Sequence, residues 1–193
     1  RILEHSERME SPMSKVILLI SGKRRSGKST LANYFRGYGY HVIGFADPLY
    51  KLHNEIWVEH KQIYQWHGDL TRDQRERLID LGATLRCLHP DALVRMAASA
   101  IRGEASPALV VIPNYRFPNE LKIGEYAGPE YVVRTLRLKR IGHALTDGLD
   151  DHASETALDN AEFDYTVSVA DGDFVALSQE ATRIAKQIRE EVM

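Results

Sequence analysis

Residues 20–35 read ISGKRRSGKSTLANYF, and within them residues 22–29, GKRRSGKS, satisfy the pattern G-x-x-x-x-G-K-[ST]. The context that gives this pattern its meaning is present on both sides. Lys15 to Ser21 is a β-branched and leucine run that reads as a buried strand, and Leu31, Tyr34 and Phe35 recur at helical spacing until Gly37 and Gly39 stop them. A glycine turn between strand and helix aims successive backbone N–H groups at an anion, and the helix adds the positive end of its dipole. Gly22 and Gly27 permit the turn, Lys28 reaches β- and γ-phosphate oxygens, Ser29 offers a hydroxyl to Mg²⁺, and Thr30 stands near the α-phosphate. Lys23, Arg24, Arg25 and Ser26 complete the nucleotide-binding loop; Arg24 and Arg25 read either as phosphate contacts or as solvated charge on its outer lip.

Outward from this turn, strands and helices alternate. His41–Phe45 reads as a second strand, and "ADP" then sets Pro48 as the first residue of a helix, with Asp47 before it. Residues 49–102 read as mostly helical, broken near Gly68 and at His89–Asp91, with Leu78, Leu81, Leu85 and Leu88 on one apolar face. "ALVVI" (108–112) is a third strand ended by Pro113, and Pro118 opens a short helix. Residues 131–140 form a fourth strand, 141–152 a polar glycine-bearing loop, 163–169 a fifth strand, and an amphipathic helix closes the chain from Phe174. This order predicts a three-layer α/β/α fold of the P-loop NTPase type around a parallel five-stranded sheet.

Composition narrows the partners. Lys plus Arg number 25 against 27 Asp plus Glu, so no net basic field favours nucleic acid. A single cysteine, Cys87, excludes an intrachain disulfide and suits a reducing, cytoplasmic setting, and the longest apolar runs fall far short of a membrane span. Residues 1–12 lack an initial methionine and read as a leader or appended remnant, with Met9 or Met13 as a start; residues 13–193 read as one domain, monomeric or homodimeric.

Nothing of the N-K-x-D kind used for guanine recognition occurs, and the length suits a small kinase. Asp47 falls at the carboxyl end of the second strand, where open α/β sheets collect ligands, so it reads as an acceptor-side residue as well as a helix cap. Arg116, at the end of the third strand, reads as a fork for a substrate phosphate, or as an ion pair with Glu120. Asp150, Asp151, His152 and Glu155 read as an acidic helix start, with Asp151 or Ser154 as the cap. His53, His60 and His67, seven apart, read as a solvated stripe, and Cys87 as a small helix residue.

"SGKRRSGKST", "FADPLYKL", "RLIDLGATLRCLHPDALV", "VVIPNYRFPNE" and "DDHASETALDNAEFDYTV" together resemble the deoxynucleoside monophosphate kinases of tailed phages and their bacterial relatives. The resemblance runs from Lys15 to the C-terminus, and "RFPNE" (116–120) and "H-x-S-E" (152–155) are its more specific parts. It implies transfer of the γ-phosphoryl of ATP, with Mg²⁺, to a nucleoside monophosphate. Arg86 would lie in the monophosphate-binding region, 49–102 in the acceptor-binding region that selects the base, and 141–152 in a lid. Arg137 or Arg140, leading into that lid, would stabilise the transferring phosphoryl group. Animal-type phosphomevalonate kinases are similar through a "GKRRSGK"-like loop and a "GLDD…SE…LDN"-like segment; an inactive nucleotide-binding scaffold is the non-enzyme alternative. Two positions depart from the family pattern. Ser29 stands where it usually has Asp, and Asn114 where the third strand usually ends in Asp, which moves the carboxylate's share of metal binding onto Asp47.

Overall fold

A computed structural model describes residues 14–57, 70–103, 107–142 and 153–192. The sheet is five-stranded and parallel: β1 (Lys15–Ser21), β2 (His41–Val42), β3 (Leu109–Ile112), β4 (Tyr131–Ile141) and β5 (Tyr165–Ala170) lie in the order β2-β3-β1-β4-β5. β1 is central, and Val16 through Ile20 have no exposed surface. Its alternation feeds both faces. Val16, Leu18 and Ile20 pack with α1 (Lys28–Gly37) and α7 (Phe174–Val192), while Ile17 and Leu19 pack with α4 (Ala92–Gly103) and α5 (Ile123–Ala127).

The loops leaving β1 and β3 therefore turn to opposite faces, and the crevice between their carboxyl ends is a topological switch point, where open α/β sheets bind ligands. Beside it, α2 (Asp47–Ile56), α3 (Arg72–Leu88) and the start of α4 share a small core of Leu49, Leu78 and Leu93. A capping box fixes the entry to α3: Gln74 N–H donates to Thr71 Oγ1 at 3.2 Å, and Thr71 N–H to Gln74 Oε1 at 3.0 Å.

Several expectations need correction. The second strand is only two residues long, because β2 pairs on one side alone and the chain leaves β3 after Val42. α2 starts at Asp47, not Pro48, and Asp47 does not cap it forward; its Oδ2 accepts the N–H of Gly44 at 2.7 Å. Pro118 opens a 3-10 helix, Pro118–Lys122, that runs into α5. Leu88 is 78 % exposed, since α3 ends there and the helix core lies at Leu78, Leu81 and Leu85. His53 is buried, its ring 4.9 Å from that of Trp57, so it is no part of a solvated stripe; His60 and His67 lie outside the described residues. Cys87 is exposed on α3. Among the described residues no helix is long and apolar enough to cross a membrane.

Asp91, buried before α4, ties that helix to the neighbouring 3-10 helix and α5. It accepts from Asn119 Nδ2, Lys122 Nζ and Tyr126 Oη, each at 2.9 Å. These donors hold its carboxyl well below the usual carboxylate range. A depressed folded value stabilises the fold above the unfolded value of about 4 and stops doing so as pH falls through the folded one. Asp91→Asn is therefore expected to lower the melting temperature at pH 7, with the gap to wild type narrowing in thermal melts at pH 4 and pH 3.

Candidate active site

The turn from β1 to α1 is held so tightly that side chains are excluded from it. A methyl group on Gly22 would lie 2.6 Å from the Leu138 carbonyl oxygen and 2.7 Å from Ser26 Oγ. Gly27 (φ 97°) and Arg25 (φ 58°) take left-handed backbone, which delivers the chain into α1. No side chain caps the leading N–H groups of α1, and no acid stands in its first turn. Lys28 is buried, and its Nζ donates to the carbonyls of Gly22 and Lys23, both at 2.7 Å. Burial, reinforced by Arg116 and Arg137 and opposed by Glu155, lowers its pKa to about 7. Ser29 is exposed and Thr30 half-buried on the same turn.

Two carboxylates from the segment after β4 brace this loop. Glu155, in the short helix α6 (Ala153–Thr156), accepts the Arg24 N–H through Oε2 at 2.7 Å and the Arg116 guanidinium through Oε1. Burial would raise its pKa, but the Arg116 charge and these hydrogen bonds hold it below its ordinary value. Asp159 accepts from Lys23 Nζ and from Arg137, each at 2.8 Å, and Lys23 Nζ also reaches the Glu155 carbonyl at 2.8 Å. Arg137 donates further to Ser21 Oγ at 3.0 Å. Arg140 pairs with Asp171 and donates to the Arg25 carbonyl at 2.7 Å.

Three cavities run through the site. The first, about 330 Å³, lies between the loop residues 25–30, Arg140 and the turn from β5 to α7, with Phe174 at its border. The second, about 290 Å³, joins Arg24, Arg25, Lys28 and Ser29 to Tyr50, Asn114 and Arg116 across the switch point. The third, about 250 Å³, is walled by apolar residues of α2, α3 and α4, and Arg75, Arg86, Arg116 and Glu120 also line it. The first and second share Arg25, Lys28 and Ser29; the second and third share Ala46, Tyr50, Asn114 and Arg116.

Of the residues singled out from sequence, 22–30, Arg116, Arg137 and Arg140 converge on the loop. Two details differ from expectation. Lys23 turns its side chain away to Asp159 and gives the cradle only its carbonyl. Arg116 pairs with Glu155, not Glu120; Glu120 turns its Oε2 to backbone, accepting the N–H of Arg116 at 2.6 Å and of Phe117 at 3.0 Å. Arg86 faces the third cavity with its guanidinium 5.1 Å from the centre of the Phe117 ring. Asp47 is half-buried, with its pKa raised by burial against the Gly44 N–H. Asn114 Oδ1 accepts the Phe45 N–H at 3.0 Å, so the amide fastens the end of β3 to the segment entering α2. Residues 143–152 of the expected lid lie outside the described residues, and with them Asp150, Asp151 and His152. Tyr50 and Arg75 were not legible as site residues; each falls at an ordinary helix position, and only the packing of α2 on α3 turns them to the cavities.

No protein-family profile matches the chain, and no curated protein does. Among solved structures it is similar to an unliganded sugar kinase from Janibacter sp. HTCC2649, at 16 % identity over 88 % of this chain and 93 % of that one, TM-score 0.49. It is also similar to dephospho-CoA kinase from Campylobacter jejuni, at 13 % identity over 92 % and 98 %, TM-score 0.48. A third is shikimate kinase from Bacteroides thetaiotaomicron, at 14 % identity over 91 % and 99 %, TM-score 0.44.

The bond from the Arg24 amide to Glu155 gives a direct check on the brace. In Glu155→Ala, hydrogen exchange at the Arg24 amide is expected to accelerate by about tenfold or more, whereas Glu155→Gln, which keeps an acceptor oxygen, holds it near the wild-type rate.

Proposed function

We propose that this protein is an ATP-dependent phosphotransferase that moves the γ-phosphoryl group of ATP to the phosphate of a (deoxy)nucleoside monophosphate. The observation that carries this reading is the continuous run of three cavities that meet at Lys28, Ser29 and Arg116. Two substrates bound in its outer parts would face each other over the one lysine of the cradle, which is the arrangement that in-line transfer requires.

Each residue then has a task. The N–H groups of the turn and of the first turn of α1, apart from those of Arg24 and Ser26, which Glu155 and the Lys23 carbonyl take, hold the phosphate chain of ATP, whose base takes the first cavity. Lys28 leaves the two carbonyls it now caps and follows charge onto the γ-phosphoryl as it moves. Arg116 and Arg86 hold the acceptor phosphate in the second and third cavities, and Arg137 and Arg140 add positive charge along the nucleotide side. Asp47, expected on the acceptor side, lines none of the three cavities and turns its Oδ2 to the Gly44 N–H, so this reading gives it no direct contact with either substrate. An acceptor phosphate oxygen attacks the γ-phosphorus, the bond to the β,γ-bridging oxygen breaks, and ADP and the nucleoside diphosphate leave. The residues present suit Mg²⁺: Ser29 is exposed at the first turn of α1, and an ion held mainly by phosphates and water needs few protein ligands. When bound it neutralises charge on the β- and γ-phosphates, and Ser29 would hold it.

A coupled ADP-release assay with Mg²⁺, each of the four dNMPs and phosphomevalonate tests the reading; ADP production dependent on a dNMP is expected. Tight ATP binding with no transfer to any acceptor would leave a nucleotide-binding scaffold. Lys28→Met should abolish transfer in a protein that still melts cooperatively, and retention of more than about a tenth of the rate contradicts its role. Lys28 also makes binding proton-linked. Free, it sits near pH 7. Phosphate beside it favours the charged form, so binding at pH 8 should take up a proton and affinity should fall as pH rises past 7. Calorimetry with an ATP analogue in buffers of different ionisation enthalpy reads that uptake directly.

A further inference from the structure

Glu120 is 4 % exposed, yet it lines the third cavity. One of its oxygens, Oε2, is fully explained: it accepts the N–H groups of Arg116 and Phe117 and so anchors the start of the 3-10 helix. The other, Oε1, accepts no hydrogen bond among the described residues, and it is not sealed off in the way an orphaned interior atom would be. Arg86 and Arg116 are the cations that act on this carboxyl, and no ion pair to either closes it among the described residues. Arg86 instead lies against the Phe117 ring, with no hydrogen bond among the described residues. A carboxyl so placed is under-compensated, and burial pushes its pKa up to about 7.

The geometry points to Glu120 as a specificity-determining residue whose Oε1 accepts a hydrogen bond from an N–H on the body of the acceptor, selecting a planar heterocycle that carries such a donor. This rests on the reading of the third cavity as the acceptor site. The walls support it: Phe45, Leu49, Leu78, Leu93 and Phe117 offer apolar surface to a flat ring, and the Glu120 oxygen beside them fixes the ring's edge. Once a ring covers that oxygen, an analogue without the donor leaves it desolvated and unpaired, so the two are discriminated. Phosphomevalonate has no N–H to offer Oε1, so this pairing is not available to it.

Glu120→Gln is the sharpest test, because the glutamine keeps one oxygen for the two backbone N–H groups and puts an NH₂ in place of Oε1. The KM for the best dNMP is expected to rise about tenfold or more, with the loss in kcat/KM expressed mainly in KM and with ATP-analogue affinity within about twofold of wild type. An unchanged KM overturns the inference and leaves Glu120 as an anchor of the 3-10 helix only. Should the variant fail to fold, the wild-type protein decides. The best dNMP is compared with its N-methylated derivative that lacks the donor, and equal kcat/KM for the two overturns the inference. Preference for phosphomevalonate would overturn it while leaving phosphoryl transfer intact, whereas no transfer to any acceptor would overturn the kinase reading itself, and the inference with it.

Discussion

The Lys28 ammonium donates to the carbonyls of Gly22 and Lys23, and this pair of bonds closes the turn on which the rest of the site is built. The closure is possible only because the chain passes Leu138 and Ser26 without a side chain at Gly22, and because Gly27 takes positive φ just before the helix. Burying the lysine, with Arg116 and Arg137 near it, lowers its pKa, and Glu155 opposes that shift. The same constraint leaves the first turn of α1 uncapped. The two features are complementary, since a desolvated cation and an uncapped helix start are each unfavourable alone and lie side by side.

Around this turn the molecule gathers Arg24, Arg25, Arg116, Arg137 and Arg140, a concentration of like charge that would repel itself without compensation. Glu155, Asp159 and Asp171 supply it, and they do so by position as much as by charge. Partly exposed ion pairs contribute little to stability, so their value here is geometric. Glu155 binds the turn after β1 through the Arg24 amide and the end of β3 through the Arg116 guanidinium, and thereby ties the two sides of the cleft together.

Legibility divided along the lines of interaction range. The tight turn after β1 could be read because a backbone conformation leaves a local mark in glycine spacing. The hydrophobic alternation of β1 was equally plain, and its two faces appear as two separate cores. His53, Lys23 and Leu88 misled because exposure is not a local property. Each lies in a sequence compatible with either side of an element, and packing against distant segments chose the side. Glu155 stood out in an acidic run that reads as a helix start, and nothing within that run names Arg24, 131 residues away, as its partner.

By itself the sequence determined the alternation of strands and helices, the parallel sheet and the phosphate-type turn, all of which follow from periodicities and backbone freedoms that act within a few residues. Tertiary structure alone decided that β1 lies between β3 and β4, which opens the crevice at the switch point. It also decided that Arg116 meets Glu155 rather than Glu120, and that Glu120 turns one oxygen to backbone and leaves the other at a cavity wall. The Arg116–Glu155 pairing joins groups 39 residues apart, and its selection depends on which buried charges can be compensated once the helices have packed. A linear pattern does not carry that information.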